Sequence, residues 1–167
     1  MGSLKLNGPM LASKVLCDKD VVAENVKFTL PEITFQTAEF QALGALELPM
    51  PLTDALEAGV THIGFDKGFY KMLGLESKTF EFRFVQNVTK PSGEQQKVGC
   101  KAFIKGIAKN IPGGDLELGS TFEGAITIAV TRYQLFVDGK EVHLVDKLKN
   151  ILKINGKDYA KEINNLL

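Results

Sequence analysis

Two tight turns near the C-terminus constrain the fold of this chain more than any other feature. They are Asp138-Gly139 and Asn155-Gly156, and each separates runs of alternating or β-branched apolar residues. Asp-Gly and Asn-Gly pairs favour two-residue hairpin loops, because both residues of such a loop adopt a positive φ. The stretch Arg132–Asp158 therefore predicts paired β-hairpins, and it carries no catalytic signal.

Alternating apolar residues predict strands through most of the remaining chain. Phe80, Phe82 and Phe84 alternate with charged residues, as in a half-buried strand, and residues 125–137 form the longest apolar run of this kind. About eight strands follow from such patterns. The predicted fold is mainly β, an antiparallel β-sandwich or a partly open β-barrel.

Two short helices are predicted within this β framework. The first is a mid-chain helix over Lys67–Gly74, which Asp66 can cap and which Gly74 can end. The second is a short C-terminal helix that begins after Asp158. Apolar residues at helical spacing also predict a turn of helix over Lys147–Leu152.

Residues 37–59 fit neither a regular helix nor a core strand. Gly44 and the Pro49/Pro51 pair weaken a helix, while several apolar residues have no obvious partner. We interpret this segment as a long arm or hairpin, which in a compact domain usually contacts another chain. The chain then consists of one domain over 15–167, preceded by an N-terminal extension, 1–14, of undefined structure.

Length and charge indicate an ordinary globular domain. The chain has 167 residues, with 20 basic and 20 acidic side chains, so net charge does not point to nucleic acid or membrane partners. The first 60 residues are nevertheless acidic, with eight carboxylates and four lysines. No apolar run approaches the ~20 residues of a membrane span, and only Cys17 and Cys100 are present, which suits free thiols in the cytosol.

No group of residues in the sequence has the spacing of a catalytic or metal site. His62 and His143 lack a second ligand at metal-binding spacing, and His143 is expected on the polar face of its hairpin. Cys100 shares a strand face with Val98 and Ala102, which predicts a buried apolar role. Phosphate-binding glycine motifs are absent, and Pro112-Gly113-Gly114 reads as a turn between strands. We expect no enzyme activity, no cofactor and no metal.

The C-terminal stretch resembles the signature of the major tail tube proteins of contractile-tailed bacteriophages and R-type bacteriocins. The shared pattern in Arg132–Asp158 is Tyr133-x-Leu135-x-Val137-Asp138-Gly139, Asp146-x-Leu148 and Asn155-Gly156-x-Asp158. The Leu30-Pro31 step and the helix at Lys67–Gly74 resemble the family more loosely. The resemblance covers roughly 15–167, whereas 1–14 and the loop PGGDLELGS depart from it.

This resemblance implies a structural function. Family members form six-membered rings that stack into a hollow tube inside the contractile sheath, so the implied location is the virion tail, assembled in the host cytoplasm. The implied partners are further copies of the chain, the sheath protein, and the tape measure and baseplate proteins, with DNA as cargo that is not bound and with no membrane. Under this hypothesis the arm makes the contacts between rings or subunits, through Phe40, Leu43, Leu46, Leu48 and Met50.

A tube that passes DNA should not bind it, because each lysine–phosphate contact releases counterions and strengthens attachment. We therefore expect Glu32, Glu39 and Glu47 to face the lumen. The lysines that recur every four residues from Lys97 to Lys109 would face outward or pair with carboxylates of a neighbouring copy.

Three alternatives remain open from the sequence. A tube of an R-type bacteriocin or of a type VI-like injection machine has the same architecture. A monomeric β-sandwich that binds carbohydrate or peptide predicts an exposed aromatic platform, but the chain has no Trp. A small enzyme predicts convergent catalytic residues.

Overall fold

The computed structural model describes residues 5–167, and the fold is mainly β, as predicted. Residues 1–4 of the predicted N-terminal extension lie outside the described residues, and the extension from Leu6 onward belongs to the first strand. Twelve strands and two short helices follow in chain order: β1 (Leu6–Cys17), β2 (Asp20–Glu24), β3 (Phe28–Thr29), β4 (Phe35–Ala42), β5 (Gly44–Thr53), β6 (Leu56–Ile63), α1 (Lys67–Tyr70), β7 (Lys78–Thr89), β8 (Gln95–Ala108), β9 (Glu123–Val137), β10 (Lys140–Asp146), β11 (Ile151–Ile154), β12 (Lys157–Asp158) and α2 (Lys161–Asn165).

Ten strands form one antiparallel sheet. Its main order is β12-β11-β10-β9-β8-β7-β1-β2, and β6 joins through β9 and carries β3. The first half of β9, up to Val130, pairs with β6, whereas its second half, from Arg132, pairs with β10. The sheet is not closed into a barrel, so the sandwich is the predicted architecture that fits. The remaining strands, β4 and β5, form a separate two-stranded sheet.

The core is built from matching rows of apolar side chains on adjacent strands. Val15, Phe82, Ala102 and Leu135 are direct partners across β1, β7, β8 and β9. The first three are fully buried, since alternation along each strand turns these positions toward the same face. Burying a side chain the size of Phe82 stabilises the fold by about 1.5–3 kcal/mol. The largest other fully buried side chains are Tyr133, Phe69, Phe80, Met72, Ile104, Ile126, Ile128 and Val60.

The short helix α1 closes one side of this core. A carboxylate oxygen of Asp66 accepts a hydrogen bond from the Gly68 N–H at 3.0 Å, which caps the first turn as predicted. After the helix, Lys78 Nζ donates to the carbonyl oxygens of Lys71 and Leu73, at 2.6 and 2.7 Å. No helix within residues 5–167 has the length and apolar character needed to cross a membrane.

The two C-terminal turns have the backbone geometry of two-residue hairpin loops. Asp138 and Gly139 have φ values of 52° and 76°, and Asn155 and Gly156 have values of 50° and 85°. These turns join β9 to β10 and β11 to β12. The Cα partners of each hairpin are therefore set by a loop of only two residues.

The predicted turn of helix over Lys147–Leu152 is wrong. Lys147–Asn150 form a turn, closed where Asp146 Oδ1 accepts hydrogen bonds from the N–H groups of Leu148 and Lys149, each at 3.1 Å. The chain then enters β11, where Leu152 pairs with Val145. Ladder pairing with β10 gives the backbone of Ile151 and Leu152 a partner strand, and it overrides the apolar spacing.

Burial of Tyr133 makes the stability of the fold sensitive to high pH. Burial raises the pKa of Tyr133 to about 12, above the ordinary value near 10. Below pH 10 the phenol is protonated in both states, so its stabilisation is fully present. Between pH 10 and 12 only the unfolded chain ionises, so the free energy of unfolding falls by up to roughly 3 kcal/mol.

We expect the Tyr133→Phe variant to lose this part of the alkaline destabilisation. The measurement is urea unfolding of both proteins at pH 9 and pH 11.5. Comparing the two proteins cancels the contributions of all groups other than Tyr133, because both proteins contain them. Equal losses of stability in wild type and variant would contradict the assignment.

Candidate assembly surfaces

The separate hairpin of β4 and β5, here called the arm (Phe35–Thr53), is amphipathic. Phe40 pairs with Leu46, Ala38 with Leu48, and Glu39 with Glu47. Since successive side chains alternate between the two faces of a strand, the apolar pairs share one face of the arm and the two glutamates share the other. Residues from Leu56 onward belong to β6 of the main sheet.

The apolar face of the arm has no partner strand or helix among residues 5–167. Both strands of the arm pair only with each other, and residues 39–49 are all exposed. Phe40, Leu46 and Leu48 are each about half exposed (51%, 43% and 46%), which is high for large apolar side chains on one surface. Leu43 stands at the tip, fully exposed, and Met50 lies nearer the base and is partly covered. An isolated two-stranded hairpin is only marginally stable in water, so this face is suited to contact another surface.

The structure brings together two of the three acids predicted to act jointly. Glu39 and Glu47 lie directly opposite each other, whereas Glu32 precedes the arm and is exposed outside it. Like charges at directly opposed positions destabilise a hairpin. The arm therefore carries one concentrated acidic face and no basic residue.

The base of the arm is fixed to the body by backbone carbonyl groups. Lys147 Nζ donates to the carbonyl oxygens of Thr53 and Asp54, at 3.0 and 2.5 Å. The Asp54 N–H donates to the Thr34 carbonyl oxygen at 2.9 Å, joining the two ends of the arm. These contacts place the arm beside Asp146, at the end of β10.

The predicted lysine row lies along β8 and its end, on the face opposite the core. Lys97, Lys101, Lys105 and Lys109 are all exposed, while the intervening Ala102 and Ile104 are buried. Lys109 Nζ contacts a carboxylate oxygen of Glu57 on β6 at 2.5 Å. Both side chains are about half exposed, so this ion pair contributes little to stability.

The two histidines take structural positions. His62 is buried and stacks on Phe69 with ring centroids 4.3 Å apart. His143 was expected on the polar face of its hairpin, and this is wrong. A bulge between Glu141 and His143 shifts the alternation by one residue, so His143 pairs with Leu135 and packs edge-on against Tyr133. Burial lowers the pKa of His143 and favours the neutral imidazole.

The cysteines are buried, as predicted for Cys100. Burial raises the pKa of both the Cys17 and the Cys100 thiol, which suppresses the reactive thiolate. Among residues 5–167, no three His, Cys, Asp or Glu side chains are grouped so that they would hold a metal ion.

A second exposed apolar surface escaped the sequence analysis. The ring of Phe65 stacks on Phe122 at 4.6 Å between centroids and lies parallel to Tyr70 at 6.3 Å. Phe65 is 63% exposed and its neighbour Ile63 is 66% exposed. Phe122 lies far in sequence from Phe65 and Tyr70, so no local pattern predicts its stacking on Phe65.

Comparison with known proteins identifies the group to which the chain belongs. A family model described as phage tail tube protein FII matches residues 11–167. A search of curated proteins found no match to the chain. The matched range includes the arm, the lysine row and both C-terminal turns. The chain therefore belongs to the phage tail tube protein FII family, and it is a structural protein of the virion tail tube.

Proposed function

We propose that the protein forms hexameric rings that stack into the inner tube of a contractile phage tail, and that this tube conducts DNA. Membership of the tail tube family supports assembly into a tube. The observation that supports stacking of the rings is the arm, whose apolar face is exposed in the single chain. The six-fold ring and the contractile tail follow from the resemblance of Arg132–Asp158 to the tube proteins of contractile tails.

In this proposal the arm joins one ring to the next. Phe40, Leu46 and Leu48 form the contact face, Leu43 reaches furthest at the tip, and Met50 continues the contact toward the base. A contact between two different surfaces of identical copies repeats without limit when rotation does not close it. Such a contact produces a filament, as a tail tube requires.

Ring formation uses the open ends of the main sheet. β2 ends the sheet on one side and β12 on the other, and β2 has no second partner among residues 5–167. Unpaired strand edges are templates for pairing with another chain, and a closed ring removes them. Six copies thus leave a central channel that one copy does not enclose.

The acidic face of the arm supports a lumen that does not retain DNA. Glu39 and Glu47 carry this role together, and Glu32 adds to it from outside the arm. Lys97, Lys101 and Lys105 face outward, or are covered by carboxylates of a neighbouring copy. A density map of the tube with these lysines exposed along the bore would overturn the lumen assignment.

The proposed partners are the sheath around the tube, the tape measure protein inside it and the baseplate that starts it. The same ring geometry serves an R-type bacteriocin or a type VI-like injection machine. The genes that neighbour this one distinguish these cases. A genome position among capsid and DNA-packaging genes is expected for the phage tail.

The test is electron microscopy of the purified protein over rising concentration, with and without a purified baseplate. We expect six-fold rings and tubes of constant bore, with the baseplate lowering the concentration at which tubes appear. Rings of another symmetry would overturn the hexamer. A species that stays monomeric at high concentration with the baseplate present would overturn assembly, and it would favour a monomeric binding module.

A further inference from the structure

A groove of about 670 Å³ lies on the solvent face of the main sheet, away from the arm. Its lining includes Ala12, Val85, Gly99, Phe103 and Phe136, which belong to β1, β7, β8 and β9. These positions alternate with the buried row of Val15, Phe82, Ala102 and Leu135, so their side chains face away from the core. The groove is thus an apolar depression on an otherwise charged face.

Gly99 makes the depression. It lies beside Val85 in the ladder, and a Cβ built on Gly99 would meet no atom within 4 Å. Phe103 and Phe136 border the notch and pack edge to face, with centroids 5.7 Å apart. The space above Gly99 is therefore open and bordered by aromatic rings.

The rim of the groove is basic. Lys14, Arg83 and Lys101 are direct neighbours in one row across β1, β7 and β8, with Glu24 next to Lys14. Glu24 lies 3.7 Å from Lys14, and Glu81 lies 2.6 Å from Arg83. Lys101 forms no ion pair with any residue that the structure describes, which leaves an unneutralised cation at the β8 end of the row.

The arm is complementary to the groove in both its apolar surface and its charge. Its apolar face presents Phe40, Leu46 and Leu48, and it carries two carboxylates and no basic residue. Packed sheet layers lie ~10 Å apart. The outer carboxylates of an arm seated on the groove therefore stay within about one Debye length, ~10 Å at 0.1 M salt, of the rim cations.

The arm and the groove lie at opposite ends of the same hairpin. The arm is fixed beside Asp146 through Lys147, whereas the groove is lined by Phe136 and reaches Gly139. β10 runs between these ends over Lys140–Asp146, a distance of roughly 20 Å at ~3.4 Å per residue. An arm at one end and a groove at the other give each copy the two halves of a head-to-tail contact.

We propose that the groove receives the apolar face of the arm from another copy of this chain, with Phe40 seated in the notch above Gly99. This proposal rests on the tube function proposed above and names the surface on which the arm acts. It also accounts for the unpaired Lys101, because the docked arm brings its two outer carboxylates within about one Debye length, ~10 Å at 0.1 M salt, of the basic rim. The contact accordingly weakens as salt rises.

The first test fills the notch. A Cβ at Gly99 meets no atom within 4 Å, so Gly99→Leu places its side chain in the open space above the strand, and Gly99→Ala is its matched control. We expect Gly99→Leu to keep its thermal unfolding midpoint and its rings, but to lose tube elongation at least tenfold. Gly99→Ala is expected to elongate normally. Normal tubes from a folded Gly99→Leu protein would overturn the proposal.

The second test locates the contact by cross-linking. Phe40→Cys protein is mixed with Val85→Cys protein, in parallel with Leu75→Cys, an exposed site remote from the groove, and treated with a short bis-maleimide. The native Cys17 and Cys100 are each 4% exposed, so unmutated protein gives the background. We expect a cross-linked dimer from the Phe40→Cys and Val85→Cys mixture only.

The outcomes separate the two proposals. Tubes that form while Phe40→Cys cross-links equally well to Leu75→Cys would overturn the groove assignment and leave the tube function standing. Gly99→Leu tubes of normal length that no longer bind the sheath would assign the groove to the sheath. Failure of the unmutated protein to form rings or tubes with a baseplate would overturn the tube function itself.

Discussion

Replacing Phe40 and Leu46 together by aspartate is expected to abolish tube formation and leave folded protein that still forms rings. The two residues are direct cross-strand partners on the apolar face of the arm, where both are about half exposed. Complete burial of their remaining surface stabilises an interface by about 0.75–1.5 kcal/mol each, taken as half of the full value for such a side chain. A buried aspartate without a partner reverses the sign of that contribution.

The loss of interface free energy is repeated at every arm of a ring. If each ring meets the next through six arms, a loss of about 1.5–3 kcal/mol per arm amounts to roughly 9–18 kcal/mol per ring junction. The body of the protein is expected to remain folded, because β4 and β5 pair only with each other. Size-exclusion chromatography and electron microscopy measure assembly, and circular dichroism measures folding.

The control adds the same charge to the other face of the arm. Thr37→Asp with Gln41→Asp introduces two carboxylates whose direct partners are Pro49 and Ala45, neither of which is charged. This variant is expected to assemble. Tubes of normal length from the Phe40 and Leu46 double variant, or equal loss in both double variants, would show that the apolar face of the arm is not the contact.

Local sequence signals were sufficient for the parts of the fold that depend on neighbouring residues. The alternation of Phe80, Phe82 and Phe84 predicted β7, and Asp66 predicted the start of α1. Where pairing with a distant strand competes with the local spacing of apolar residues, the prediction of secondary structure was wrong. Lys147–Leu152 has apolar residues at helical spacing, but pairing with β10 makes its second half a strand.

Bulges are the other source of error, because they change which face a residue occupies without a clear sequence signal. The bulge before His143 moves this residue from the polar face to the core face. The groove was missed for a related reason. Its lining comes from β1, β7, β8 and β9, and only the long-range register places Val85 beside Gly99. A glycine inside an otherwise regular strand was the one available hint of an open space.

The two glycines Gly99 and Gly106 of β8 differ in their surroundings, and substitutions at them are expected to affect different properties of the protein. Gly99 faces open space, whereas a Cβ on Gly106 would lie 2.3 Å from the Ala129 carbonyl oxygen and 2.9 Å from Ile128 Cγ2. The nearest of these atoms belongs to the backbone of β9, so it cannot turn aside as a flexible side chain does. Gly106 lies at the register shift where β9 changes its partner from β6 to β10.

Gly106→Ala is therefore expected to destabilise the domain by about 3 kcal/mol, at the upper end for overpacking. In a domain of this size the thermal midpoint should fall by roughly 6–12 °C. Gly99→Ala in the same strand is expected to be neutral or stabilising by up to about 1 kcal/mol, since it restricts only the unfolded chain. Thermal unfolding followed by circular dichroism measures both variants.

Equal midpoints for the two alanine variants would show that β8 and β9 can separate at the register shift without cost. A larger loss of stability in Gly106→Ala would show instead that β8 and β9 are held rigidly together at the register shift. The rigidity matters for assembly, because the arm is fixed beside Asp146 and the groove lies near Phe136, on either side of the same hairpin. In the proposed head-to-tail contact, loosening β8 from β9 changes the angle between the arm and the groove, and that angle would set the rotation from one ring to the next. Gly106→Ala is accordingly expected to shorten tubes even at temperatures where the domain stays folded, whereas Gly99→Ala leaves their length unchanged.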